Sequence, residues 1–274
     1  MIVNSDERQW AWMDEGLTTF VQYLAEQEFG EKYPEIIAPL DKFPSDRGPA
    51  QLITDYMSID QNFLAPIMSN PENVYYLGPN AYGKPAAALN ILRETIMGKE
   101  LFDYAFKTYS QRWMFKHPTP EDFFRTMEDA SAVDLDWFWR GWFYSTDFVD
   151  IGLKEVNQYF VSPEPGEEML KIMEEQGVPR NRLRPLIFFE KNENDKGNLK
   201  ENSAIDNSKL LGNYLKENYS QEELDVIDVP KYYYEVVFNK PGGLVMPIII
   251  DIKYEDGETV RKKYPAQVLS LIHI

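Results

Sequence analysis

Trp12-Met13-Asp14-Glu15-Gly16 sets two carboxylates side by side just ahead of an amphipathic stretch, and carboxylates can bind cations or move protons. The same pair is also what the positive end of a helix dipole favours. Tyr82, in Asn80-Ala81-Tyr82-Gly83-Lys84-Pro85, falls at a loop-to-helix junction where a phenol can point into a cleft. A purely structural tyrosine fits that position as well. His117, within Lys116-His117-Pro118, reads as a surface-loop residue rather than a ligand, and His273 is the other histidine. The chain has no cysteine, which excludes disulfides, Cys-ligated zinc and thiol catalysis. HExxH, a Walker loop, a Gly-rich dinucleotide fingerprint and GxSxG do not occur.

Helices must position most of these groups. Leu17, Phe20, Val21, Leu24 and Ala25 repeat on one face of a helix expected to end near Gly30. Ala86 to Met97 is a second helical stretch, with Pro85 in its first turn and Gly98 beyond its end. Glu100 to Tyr109 reads as a third. Thr119-Pro120 with Asp122 is a helix start: a capping hydroxyl, a first-turn proline and an acid near the dipole. Asp134 to Tyr144 gathers Trp137, Phe138, Trp139, Trp142 and Phe143 into a stripe that reads as core. Residues 37–80 hold six prolines and are expected to run as irregular loops.

Beyond residue 150 the texture changes. Glu190 to Ser208 is polar, Asn-rich and short of core-forming groups, and is expected to be a mobile loop or insertion. Tyr232 to Phe238, Leu244 to Tyr254 and Thr259 onward read as strands joined by turns at 240–243 and 255–257, the opening of an antiparallel sheet. The fold class is therefore α+β, mainly α in residues 1–150 and β-rich afterwards. Domains are drawn at 1–150, a connecting region at 151–230, and a β segment at 231–268.

With 274 residues, 43% apolar and 14% aromatic, the chain can build a sizeable core. Its net charge of −17 includes −12 in residues 1–150 and argues against nucleic acid, which needs a basic face. No apolar run reaches the ~18 residues of a membrane span.

Two blocks carry a resemblance to peptidase family M1, the gluzincin family of aminopeptidase N. In that family an HExxH helix is followed at a fixed distance by a Glu in a W-x-x-E-G-[FL] context. Trp12-Met13-Asp14-Glu15-Gly16-Leu17 is similar to that context, with Asp14 where Asn is commoner. Asn80 to Leu89 resembles the family's Y-x-K-G-x-x-x-L block, and Lys99 to Phe143 resembles the helices that complete a thermolysin-like domain. The strands after 231 resemble the opening of the β-sandwich that follows it. The resemblance implies zinc as cofactor, peptides as substrates, Glu15 as the third zinc ligand and Tyr82 as the oxyanion hydrogen-bond donor. Tyr75 and Tyr76 lie close by, but neither precedes the Lys as the pattern requires.

The departure from the family is large. HExxH is missing, and so is the upstream Gly-x-Met-Glu-Asn strand that reads the substrate's amino terminus. Met1 resembles an internal methionine of the family, reached shortly after HExxH. Leu269 to Ile274 resembles the translation of a transposase sequencing adaptor and is expected to be a non-native tail, His273 included. The expectation is a peptidase fragment, inactive alone and without tight zinc binding. The competing expectation is a non-catalytic binding module on the same scaffold. Against that module, Leu17, Phe20 and Leu24 are expected to leave an exposed apolar face.

Overall fold

The computed structural model describes residues 2–36, 56–162, 186–190, 202–203 and 231–270, with residues 171, 174–175, 217–220 and 222 between them. They belong to two compact units, Met1–Asp150 with Gly242–Ile274, and Ile151–Pro241.

The first unit is helical. Helix α1 runs Ala11–Lys32, so Asp14 and Glu15 lie inside its first turns rather than ahead of it. Its start has no capping side chain, since Trp10 occupies the N-cap. Aromatic packing fixes that end instead: Trp12 is buried against Phe143, Phe123 and Phe124, with ring centroids 4.8, 5.9 and 5.9 Å away. Helix α2 spans Lys84–Ile91 with Pro85 in its first turn and continues as a π-helical turn, Leu92–Ile96. Gly98, at φ +85°, then reverses the chain where other residues would be strained.

Helix α3 covers Lys99–Arg112 and α4 covers Pro120–Ser131. The expected start at Thr119 is a full capping box. Thr119 Oγ1 accepts from the Asp122 N–H at 3.4 Å, and the Thr119 N–H donates to Asp122 Oδ2 at 2.9 Å. Such a cap stabilises a helix by about 1 kcal/mol. Helix α5, Asp136–Tyr144, is the aromatic stripe, and Phe138, Trp139, Trp142 and Phe143 are buried as expected. Around it Phe123, Phe124 and Trp139 close the core, with Phe124 stacked on Trp139 at 4.6 Å.

The periodic face of α1 is only partly used. Phe20 is fully buried against Phe102 and Phe106, whereas Leu17, Val21 and Ala25 line an open groove of about 470 Å³ with Phe106 and Ile2. The described part of the proline-rich stretch, 56–80, is short 3₁₀ turns and loops that run into a π-helical turn at Pro79; residues 37–55 lie outside the described residues.

The strands depart from the expected three-strand meander. Strands β5 (Ile248–Lys253) and β6 (Thr259–Tyr264) form a two-stranded antiparallel hairpin, pinned by a bidentate Arg261–Asp251 pair at 2.7 Å. This hairpin belongs to the helical unit, where Lys263 donates to the Thr95 carbonyl. A short helix α6, Gln267–Ser270, follows, taking in the end of the expected β segment and the first two residues of the expected non-native tail, and residues 271–274 lie outside the described residues.

In the second unit, β1 (Gly152–Ser162) pairs antiparallel with β4 (Lys231–Asn239) and with β2 (Leu186–Glu190), which pairs β3 (Asn202–Ser203). The first strand of the expected meander thus pairs with a strand some seventy residues upstream, a choice its own sequence cannot signal. Most of 190–208 lies outside the described residues.

Candidate active site

Gly16 decides how closely α1 meets the segment that carries Tyr82. A Cβ on Gly16 would sit 2.6 Å from Pro85 Cγ, 2.8 Å from Pro85 Cβ and 3.0 Å from the Ala81 carbonyl oxygen. Only a residue without a side chain lets the helix approach so near. The neighbour before it, Glu15, is thereby laid beside the π-helical turn Pro79–Gly83, on which Tyr82 stands. Gly16→Ala gains about 1 kcal/mol of helix propensity, but the clash with Pro85 and the Ala81 backbone costs about 1–3 kcal/mol. The expected result is a lower urea midpoint. A raised midpoint contradicts the close approach.

The two residues singled out from the sequence are brought together. Glu15 is half-buried, and Tyr82 is 40% exposed, open to a ligand from solvent. Hydrogen bonding to the Glu15 carboxylate, then partial burial and the charges of Glu15, Asp14 and Glu7, push the Tyr82 phenol up to about 12. An ordinary tyrosine is already protonated at neutral pH; here its one hydrogen is given to Glu15, and donation to another acceptor requires it to turn away from that carboxylate. Asp14 is raised above the usual aspartate value by burial first, then by the charges of Glu15 and Glu7. Its Oδ1 is buried without a hydrogen-bond partner among the described residues. The charges of Glu7, Asp14 and Glu15 thus all act on the Tyr82 phenol.

The remaining candidates lie elsewhere. Tyr75 is 74% exposed and turned against Phe63 and Tyr76, at 5.4 and 4.9 Å. His117 is exposed with its Nδ1 3.1 Å from the Asn4 carbonyl oxygen, as a surface-loop residue should be. His273 lies outside the described residues.

Two groups that the sequence reading passed over hold the Tyr82 turn at its ends. Asn80, 4% exposed, donates through Nδ2 to the Ala65 and Pro66 carbonyls at 2.7 and 3.2 Å. Lys84, 1% exposed, donates to the Ser145 carbonyl and the Tyr56 hydroxyl. Their signal was polar side chains bracketing Ala81-Tyr82-Gly83 beside an alanine-rich, buried run.

A zinc site needs more than this corner offers. Glu15 contributes one carboxylate, while a catalytic zinc takes three protein ligands. Among the described residues, the grouping of three potential ligands is Glu128, Asp134 and Asp136, at the α4–α5 junction. There Glu128 Oε1 already accepts from the N–H of Leu135, the residue just before the next helix, at 2.7 Å. The residues present do not fit a catalytic zinc by themselves.

Residues 2–142 match the family model described as the Peptidase family M1 domain. No curated protein matches the chain.

Proposed function

The chain belongs to peptidase family M1, and from that premise we propose that residues 1–150 are the helical part of a zinc-dependent aminopeptidase catalytic domain. The family consists of peptide hydrolases and is generally zinc-dependent. No described helix is long and apolar enough to cross a membrane. The observation that carries the reading is the pairing of Glu15 with Tyr82, held by the Gly16 contact.

On this reading Glu15 is one metal ligand and Tyr82 donates a hydrogen bond to the oxyanion formed as the scissile carbonyl is attacked. In such enzymes zinc supplies an activated water and polarises that carbonyl. The acidic corner made by Glu7, Asp14 and Glu15 suits a substrate with a cationic amino terminus.

The family's HExxH does not occur in these 274 residues, so no hydrolytic step is assigned to this chain alone. Structural zinc sites draw about 10–16 kcal/mol from a complete ligand set, and one carboxylate cannot replace it. The purified chain, dialysed against zinc and then against buffer, is expected to retain none by atomic absorption and to release no product from an aminoacyl-p-nitroanilide. Stoichiometric zinc or turnover would refute that expectation.

The reading as a whole is tested by sequencing the source DNA upstream of the Met1 codon in frame and expressing any longer product. An open frame encoding HExxH, zinc in that product, and zinc loss in its Glu15→Gln variant support it. Zinc retained by that variant removes Glu15 from the ligand set. A frame lacking HExxH favours a peptide-binding module on the same scaffold.

A further inference from the structure

Lys84 is charged where elementary solvation argues for an apolar residue. It is 1% exposed, and a buried ammonium is costly unless hydrogen bonds replace its water. Its Nζ donates to the Ser145 carbonyl at 3.0 Å and to the Tyr56 hydroxyl at 3.2 Å, and lies 5.0 Å from the centre of the Tyr56 ring. Tyr56 is itself 1% exposed. Burial pushes the Lys84 ammonium down to about 8, and the charge of Asp147 works in the opposite direction.

These partners come from opposite sides of the Tyr82 turn. Ser145 caps the C-terminus of α5, where the last carbonyls have no partner within the helix and a cation is favoured. Tyr56 comes from the segment before the turn. The Lys84 backbone N–H closes the same turn by donating to the Pro79 carbonyl. Lys84 therefore joins the turn to the aromatic helix two residues after Tyr82, while Asn80 joins it to the Ala65–Pro66 loop two residues before. A methionine could fill this volume but could not grip a carbonyl oxygen.

We propose that Lys84 is a positioning residue, whose ammonium clamps the π-helical turn to Tyr56 and to the end of α5 and so holds the Tyr82 hydroxyl against Glu15. Its importance for catalysis rests on the reading of Tyr82 as the oxyanion donor. The clamp itself can be measured without zinc or substrate.

The test uses the full chain labelled with ¹³Cζ-tyrosine at pH 7. The Tyr82 line is assigned by Tyr82→Phe, and Glu15→Gln marks the shift that follows loss of the Glu15 contact. In Lys84→Met the Tyr82 line is expected to move in the same direction as in Glu15→Gln. Amide exchange at Asn80 and at position 84 should rise about tenfold, while the Phe123 amide, bonded to the Thr119 carbonyl in the α4 cap, keeps its rate. A folded Lys84→Met chain with an unmoved Tyr82 line overturns the proposal.

Should Lys84→Met fail to fold, Tyr56→Phe carries the test, because it removes the acceptor hydroxyl and keeps the ring. The Tyr82 line is then expected to move the same way by a smaller amount, and an unmoved line again overturns the proposal. Neither readout involves metal or hydrolysis, so failure of the zinc reading is seen separately, in the metal content and turnover of the longer product.

Discussion

Tyr82→Phe, made in a longer product that carries HExxH, is expected to lower kcat by about 10²–10³ and to leave KM nearly unchanged. The substitution keeps the ring and removes the one group proposed to act on the reacting carbonyl. That group is protonated at working pH, its phenol pushed up to about 12 by the Glu15 contact and the surrounding carboxylates, and it acts by turning its one hydrogen from Glu15 to the oxyanion. A hydrogen bond made only as charge develops on the oxyanion lowers the barrier without tightening substrate, which is why kcat and not KM should fall. The exposed ring contributes little to the core, so the melting temperature should hardly move. A kcat within about threefold of the parent would remove Tyr82 from the chemistry. Loss of both kcat and zinc would instead point to an effect through Glu15.

The parts of this molecule that could be read from the sequence are those decided within a few residues. Thr119-Pro120-Asp122 announced a helix start because capping hydroxyl, proline and acid all lie in one turn, and the fold completes it as a capping box. Gly98 marked the end of the second helical stretch because its backbone needs a positive φ. The start of α1 was missed by several residues, since Trp10 offers no capping group and Trp12 is held by rings from α4 and α5. The face of α1 was read too broadly. Periodicity marked Leu17, Val21 and Ala25 together with Phe20, but of these only Phe20 is buried, and the others line the open groove beside Phe106.

Strand pairing was the least legible feature. Lys231–Asn239 has an ordinary strand composition, and nothing in it names Gly152–Ser162 as its partner. At the site, Glu15 and Tyr82 could be picked out by type and context, but their supports could not. Gly16 matters through Pro85 and Ala81, and Lys84 through Tyr56 and Ser145, all contacts made by the fold.

Trp12→Ala should be the most destabilising single change near the site, and its effect separates packing from chemistry. Trp12 is 1% exposed and meets Phe123, Phe124 and Phe143 at once. Emptying such a position costs about 3–5 kcal/mol, which for a domain of this size is a drop of roughly 6–20 °C in Tm. The loss reaches Glu15 as well, because the carboxylate stands one turn further along the same helix and α1 has no side-chain cap to hold its start. Trp12→Phe should cost much less. The indole Nε1–H has no hydrogen-bond partner among the described residues, so phenylalanine leaves a cavity but gives up no bond. If the two variants proved equally unstable, shape at this position would not be what holds α1. If Trp12→Ala kept the Tyr82 line of the parent chain despite a lower Tm, the Gly16–Pro85 contact alone would suffice to set Glu15 against Tyr82. The expected result is that both fail together, because the aromatic core fixes where α1 begins and Gly16 fixes only how near it comes.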